Sequence, residues 1–95
     1  MTLEACLEML RLLARSSEPE ENRLMTAEPR VRGYYAGAAS PDAKRALLEA
    51  LDNAVIREAE LRQREASFWE GIRDYIAQRL AMLDYDAPPD EDAGQ

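Results

Sequence analysis

A chain of 95 residues has room for a single domain, and a composition of 46% apolar and 33% charged side chains allows both a core and a well-hydrated surface. The chain has one cysteine and no histidine, which excludes an internal disulfide and removes the commonest general base, metal ligand and pH switch. The net charge of −7 argues against direct nucleic-acid binding, because affinity for phosphate requires a clustered basic surface.

The sequence shows no targeting or membrane signal. Its N-terminus carries no basic region, and no run approaches the roughly 18 consecutive apolar residues of a membrane span. We therefore expect a cytoplasmic protein that does not enter a membrane and binds no metal or other cofactor.

The first predicted helix begins after Thr2, whose side chain can cap it. Its apolar residues recur every three or four positions, at Leu3, Cys6, Leu7, Leu10, Leu13 and Ala14. A helix with so wide an apolar stripe is normally buried on most of its circumference. Cys6 lies on this stripe, so we interpret it as a small core residue rather than as a reactive thiol.

A second, short helix is predicted to follow Ser17. Ser17 with Glu20 three positions later matches a capping box, in which each side chain bonds to the backbone of the other residue. This helix should end near Glu28, because a residue that precedes a proline is pushed out of helical geometry.

Residues 29–40 are predicted to form a connector, since they contain Gly33 and Gly37, although Arg30 to Tyr35 can also be read as a short strand. The connector holds the only residues of the sequence that suggest recognition of a partner: Arg30, Arg32, Tyr34 and Tyr35. Arginine and tyrosine are enriched among binding hot spots, and loops often carry function. The alternative is that the tyrosines pack on the helices and the arginines pair with nearby acids.

The strongest pattern covers Pro41 to Leu83. Ser40 can cap a helix there, with proline in its first position, and no other proline follows before residue 88. Apolar residues then recur every seven positions, at Leu47, Ala54, Leu61, Phe68, Tyr75 and Met82. This repeat predicts one continuous helix about 64 Å long. The alternative is a break at Ser67, which with Glu70 also fits a capping box.

One side of this long helix should face a second copy of the chain, because a compact domain of this size cannot cover it. The predicted dimer seam consists of Leu47, Leu51, Leu61, Phe68, Trp69, Ile72 and Tyr75. The expected fold is thus all-α, with a short N-terminal helix or helix pair packed on one helix of about 40 residues in a helical-bundle or coiled-coil-like dimer. Residues 1–85 should form a single helical domain, and residues 86–95 a disordered acidic tail.

Charged residues occupy the middle of the predicted long helix. One interpretation is that Glu58 forms a solvent-exposed ion pair with Arg62, one helical turn later. The alternative is that Glu58 and Glu65 meet arginines of the second copy and set the register of the dimer.

No catalytic motif is present, and we expect no enzymatic activity. The leading hypothesis is a non-catalytic protein that acts by protein–protein binding, as a regulator, inhibitor or adaptor of a larger cytoplasmic complex, of the kind that phages and mobile elements encode. The alternatives are a structural or assembly subunit of a larger oligomer and an accessory subunit of an enzyme complex.

Overall fold

The computed structural model describes residues 1–86, which form four α-helices. These are α1 (Leu3–Ala14), α2 (Glu20–Ala36), α3 (Pro41–Leu61) and α4 (Ala66–Asp86), with a one-turn 3₁₀ helix at Gln63–Glu65 between the last two. The all-α prediction is confirmed. The predicted tail begins with Asp86, which is the last residue of α4, and its other residues, 87–95, lie outside the described part of the chain.

Two predicted helix starts are confirmed by their caps. The Thr2 hydroxyl accepts a hydrogen bond from the Ala5 amide at 3.1 Å, and the Ser40 hydroxyl accepts one from the Ala43 amide at the same distance. The predicted start at Ser17 is wrong, because α2 begins at Glu20 directly after Pro19 and has no side-chain cap.

The predicted end of the second helix is also wrong. α2 continues through Pro29 to Ala36, so residues 29–36 are neither a connector nor a strand. An interior proline costs a helix about 3 kcal/mol or more. The residues that recur on the inner face of α2 offset this cost, since burial of each large apolar side chain contributes about 1.5–3 kcal/mol. They are Ala27, Val31, Tyr34 and Tyr35, while Pro29 is exposed.

The prediction of a single long helix is wrong as well. α3 ends at Leu61, and Arg62 has a non-helical backbone with φ −124° and ψ 67°. α4 then runs back antiparallel to α3, as the ion pair between Asp52 and Arg73 at 3.2 Å shows. The break therefore falls five residues before Ser67, whose hydroxyl donates to Glu20 of α2 at 3.0 Å instead of capping a helix. Folding back allows the apolar faces of α3 and α4 to bury each other.

The helices assemble into a bundle in which chain neighbours run antiparallel. α2 and α4 run parallel, because Glu20 contacts Ser67 at one end and Tyr35 contacts Arg79 at the other. α2 packs against all three other helices. At Gly71 of α4 the contact is close: a Cβ there would lie 2.9 Å from both methyl carbons of Leu24, so glycine lets α2 approach α4.

The predicted dimer seam is mostly inside one chain. Leu51, Phe68, Trp69, Ile72 and Tyr75 are buried, and Leu47 packs against the core from a half-buried position. Only Leu61, at the end of α3, is largely exposed, at 76%. The argument that a second copy must cover this face is therefore wrong, because α1 and α2 cover it together with the antiparallel pairing of α3 and α4.

No helix within residues 1–86 combines the length and the hydropathy that crossing a membrane requires.

Candidate protein-interaction surfaces

The four predicted partner-binding residues do not form one patch. Arg30 and Arg32 are exposed, whereas Tyr34 and Tyr35 are buried at 6% and 5% exposure and belong to the core. Because successive residues of a helix point about 100° apart, α2 directs Arg30 toward α1 and Arg32 toward α4. Tyr35 also faces α4. The structure thus divides the predicted site between two surfaces on either side of α2.

The first surface is a groove of about 480 Å³, here called the α1–α2 groove. It is lined by Met1, Thr26, Pro29, Arg30 and Gly33. The Arg30 guanidinium touches the sulfur of Met9 on α1 at 3.1 Å. Among the side chains that the structure describes, no acidic group forms an ion pair with Arg30. The groove therefore presents apolar surface beside an uncompensated positive charge.

Gly33 stands out in this groove because nothing inside the chain requires a glycine there. A Cβ at Gly33 would have no atom within 4 Å, and its φ does not lie in the left-handed region. A glycine in a helix interior costs about 1 kcal/mol relative to alanine. Pro29, one turn earlier, is a second costly helix residue, and it lines the same groove. Two residues that are costly in a helix interior thus lie on one exposed strip of α2.

The second surface, here called the tyrosine–arginine cluster, joins α2 to α4 through Arg32, Tyr35, Tyr75 and Arg79. The Arg79 Nε donates to the Tyr35 hydroxyl at 2.8 Å, and an Arg32 Nη donates to the Tyr75 hydroxyl at 3.5 Å. The Arg79 guanidinium also lies 5.9 Å from the centre of the Tyr75 ring, a cation–π contact. A tyrosine hydroxyl that accepts a hydrogen bond keeps its own proton for donation. The cluster thus combines positive charge with the exposed guanidinium of Arg32 and the hydroxyl of Tyr75, groups that can donate hydrogen bonds to a negatively charged oxygen.

Besides these two surfaces, the structure contains an ion network between α1 and α3, centred on the buried carboxylate of Glu58. Arg11 donates to one Glu58 oxygen from Nη2 at 2.7 Å and from Nε at 3.2 Å, and Arg62 donates to the other oxygen at 2.6 Å. The Arg11 bonds, opposed in part by burial, hold the pKa of Glu58 below its usual range. The same bonds raise the pKa of Arg11.

This network is structural. The predicted pair between Glu58 and Arg62 is present, but the second arginine comes from α1 of the same chain instead of a second copy. Arg11 and Glu58 are 47 residues apart, and no local pattern links them, so sequence reasoning could not find this contact.

Cys6 is fully buried, as its place on the apolar stripe predicted. Burial raises the pKa of its thiol to about 11, so almost no nucleophilic thiolate exists near neutral pH. The side chains that the structure describes include no group of three or more potential metal ligands.

Cys6 should therefore be unreactive in the native protein. At neutral pH we expect a thiol reagent such as Ellman's reagent to leave Cys6 unmodified over hours, and to react at once when guanidinium chloride unfolds the chain. Ser17→Cys, in the exposed turn before α2, is the matched control and should react promptly in the native state. Rapid native reaction of Cys6 would contradict its placement in the core.

Comparison with known proteins adds no relative: no protein-family model, no curated protein and no solved structure matches the chain.

Proposed function

We propose that this protein is a non-catalytic, homodimeric binding module that acts in the cytoplasm as a small regulator, inhibitor or adaptor of a larger complex. What supports a non-catalytic role is the use of its two most chemically distinctive groups. The Cys6 thiol is packed in the core, and the Glu58 carboxylate is fully engaged by two arginines.

The observation that carries the proposal is the pair of costly residues, Pro29 and Gly33, in the α1–α2 groove. Gly33 leaves open space above the α2 backbone, so another helix can approach closely there. Such a contact would offset the stability that α2 loses at these two positions.

We propose a second copy of the chain as the occupant of the groove, and an exposed apolar side chain in its lining supports this choice. Met1 lines the groove and is 60% exposed. In a twofold dimer both copies use the same surface patch, so one interface buries the groove of each copy.

The charges of α1 and α2 are also complementary to each other. Arg30 of α2 has no acidic partner among the described side chains of its own chain, while Glu4 and Glu8 of α1 both contact one nitrogen of Arg11, at 2.9 and 3.1 Å. Their side chains remain 74% and 58% exposed, so their other lone pairs can accept from a further arginine. A twofold dimer can therefore place Arg30 of each copy against α1 acids of the other.

Sedimentation or light scattering of two glycine variants tests the dimer. We expect the wild-type chain to be a dimer at micromolar concentration and Gly33→Glu to be a folded monomer, because the new side chain fills the groove with charge. Gly33→Glu should keep the helical circular dichroism of the wild type, since glutamate is favoured over glycine in a helix by up to about 1 kcal/mol. Gly37→Glu adds the same charge at the end of α2, where a Cβ also meets nothing within 4 Å, and should remain a dimer.

Two results would overturn this proposal. A wild-type chain that is monomeric throughout the micromolar range removes the second copy as occupant. Dimers that survive Gly33→Glu place the interface elsewhere, with exposed Leu61 as the next candidate. A larger assembly would instead support the alternative of a structural or assembly subunit.

A further inference from the structure

We propose that the tyrosine–arginine cluster binds acidic polypeptide segments, and that its occupant is the chain's own C-terminal segment, residues 87–95. The proposal concerns the α2–α4 side of the molecule and is independent of the dimer through the α1–α2 groove.

Arg32 is the first reason. It is exposed, and its one hydrogen bond among the side chains that the structure describes is the 3.5 Å bond to the Tyr75 hydroxyl. Glu28 lies one turn earlier on α2, yet no ion pair joins it to Arg32. Arg79 lies against the same tyrosine ring. Two positive charges thus lie beside Tyr75, and the exposed guanidinium of Arg32 suits a carboxylate, since arginine recognises carboxylates by paired hydrogen bonds.

The second reason is the charge of the segment. Residues 87–95 contain three acids, Asp90, Glu91 and Asp92, and no basic residue. An exposed ion pair contributes only about 0–1 kcal/mol, so a free peptide with three carboxylates would bind weakly. Attachment to the same chain allows even such a weak contact to form, because a short tether gives the segment an effective concentration in the millimolar range.

The third reason is reach. Arg79 lies seven residues before Asp86 on α4, which is about 10 Å along the helix axis. From Asp86 an extended chain can span about 13 Å to Asp90 and about 20 Å to Asp92. The acids can therefore return along α4 as far as Arg79 and Tyr75, and Arg32 of α2 contacts Tyr75 directly. The fold thus brings the acidic segment within range of a matching basic surface.

A spin label on the full-length chain tests this contact. Ala93→Cys provides the attachment site, and native Cys6 stays unlabelled because it is buried. In NMR spectra at low salt we expect the label to broaden the amide signals around Arg32 and Tyr75. Replacing the three acids by Asp90→Asn, Glu91→Gln and Asp92→Asn should reduce this broadening, and so should about 0.5 M salt, which shortens the screening length to a few ångströms.

Single arginine variants give the matched comparison. Arg32→Gln should lower the broadening at Tyr75 about twofold, the effect of losing one exposed ion pair of about 0.5 kcal/mol. Arg64→Gln removes the same charge at the opposite end of the bundle, in the turn between α3 and α4, and should change nothing.

The proposal is overturned if the label broadens the signals around Arg32 and Tyr75 equally whether the segment carries its three acids or their neutral replacements. It is also overturned if the broadening does not change with salt. It is also overturned if the label leaves Arg32 and Tyr75 unaffected while added poly-glutamate shifts their signals, because the occupant would then be an acidic segment of another protein.

Discussion

Replacing Trp69 by alanine should lower the free energy of unfolding by about 3–5 kcal/mol. The Trp69 side chain is fully buried, meets the Phe68 ring edge-on at 5.4 Å between centroids, and donates its indole N–H to Glu65 at 3.3 Å. The substitution opens a cavity where α4 packs on the rest of the bundle and removes one aromatic pair. Since a small domain is stable by about 5–15 kcal/mol, thermal and urea unfolding followed by circular dichroism should show a large loss.

Leu61→Ala is the matched control, because Leu61 and Trp69 were assigned to the same predicted seam. Leu61 is 76% exposed, so its truncation should change the unfolding free energy by no more than about 0.5 kcal/mol. If Leu61→Ala destabilised the chain as much as Trp69→Ala, the break at Arg62 would be wrong and the continuous helix would return as the better description.

Replacing Glu58 by glutamine should cost about 2–3 kcal/mol at neutral pH. Breaking a fully buried ion pair from one side costs about 3–5 kcal/mol, because the remaining charge is left without compensation. The loss should be smaller here because Arg11 keeps Glu4 and Glu8 and because both arginines of the network reach solvent. Urea titration of the variant measures this loss, and Glu60→Gln, at an exposed position on the same helix, should be near neutral.

The same pair of proteins gives a dependence on pH. The folded state lowers the pKa of Glu58, so its contribution is complete above the ordinary carboxyl pKa and is lost as the pH falls through the folded value. The difference in stability between the wild type and Glu58→Gln should therefore be constant near neutral pH and shrink below about pH 5. A difference that grew on acidification would contradict the structural role of Glu58.

Much of the local structure followed from the sequence. Thr2 and Ser40 cap helices because their hydroxyls meet amides three residues away, and such contacts depend on neighbouring residues alone. The apolar stripe of α1 and most seam residues were correctly identified as residues that must be buried, because apolar side chains leave water whatever the topology.

What covers those residues depended on the tertiary structure. The seven-residue spacing from Leu61 to Phe68 passes through the corner between α3 and α4 without a glycine or proline, so the pattern cannot distinguish one long helix from two short ones. For the same reason it cannot separate exposed Leu61 from buried Phe68. The end of α2 was equally ambiguous, because the burial of Val31, Tyr34 and Tyr35 outweighs the local penalty of Pro29.

The candidate surfaces show the same division. The sequence alone predicted that Arg30, Arg32 and two tyrosines are the residues most suited to recognition. Only the fold decided that Tyr34 and Tyr35 are core residues and that the two arginines lie on opposite sides of α2. It also brought Arg11 to Glu58 across 47 residues. Capping and periodicity act over one or two helical turns, whereas these contacts depend on how distant helices share one core, and a single sequence does not encode that choice locally.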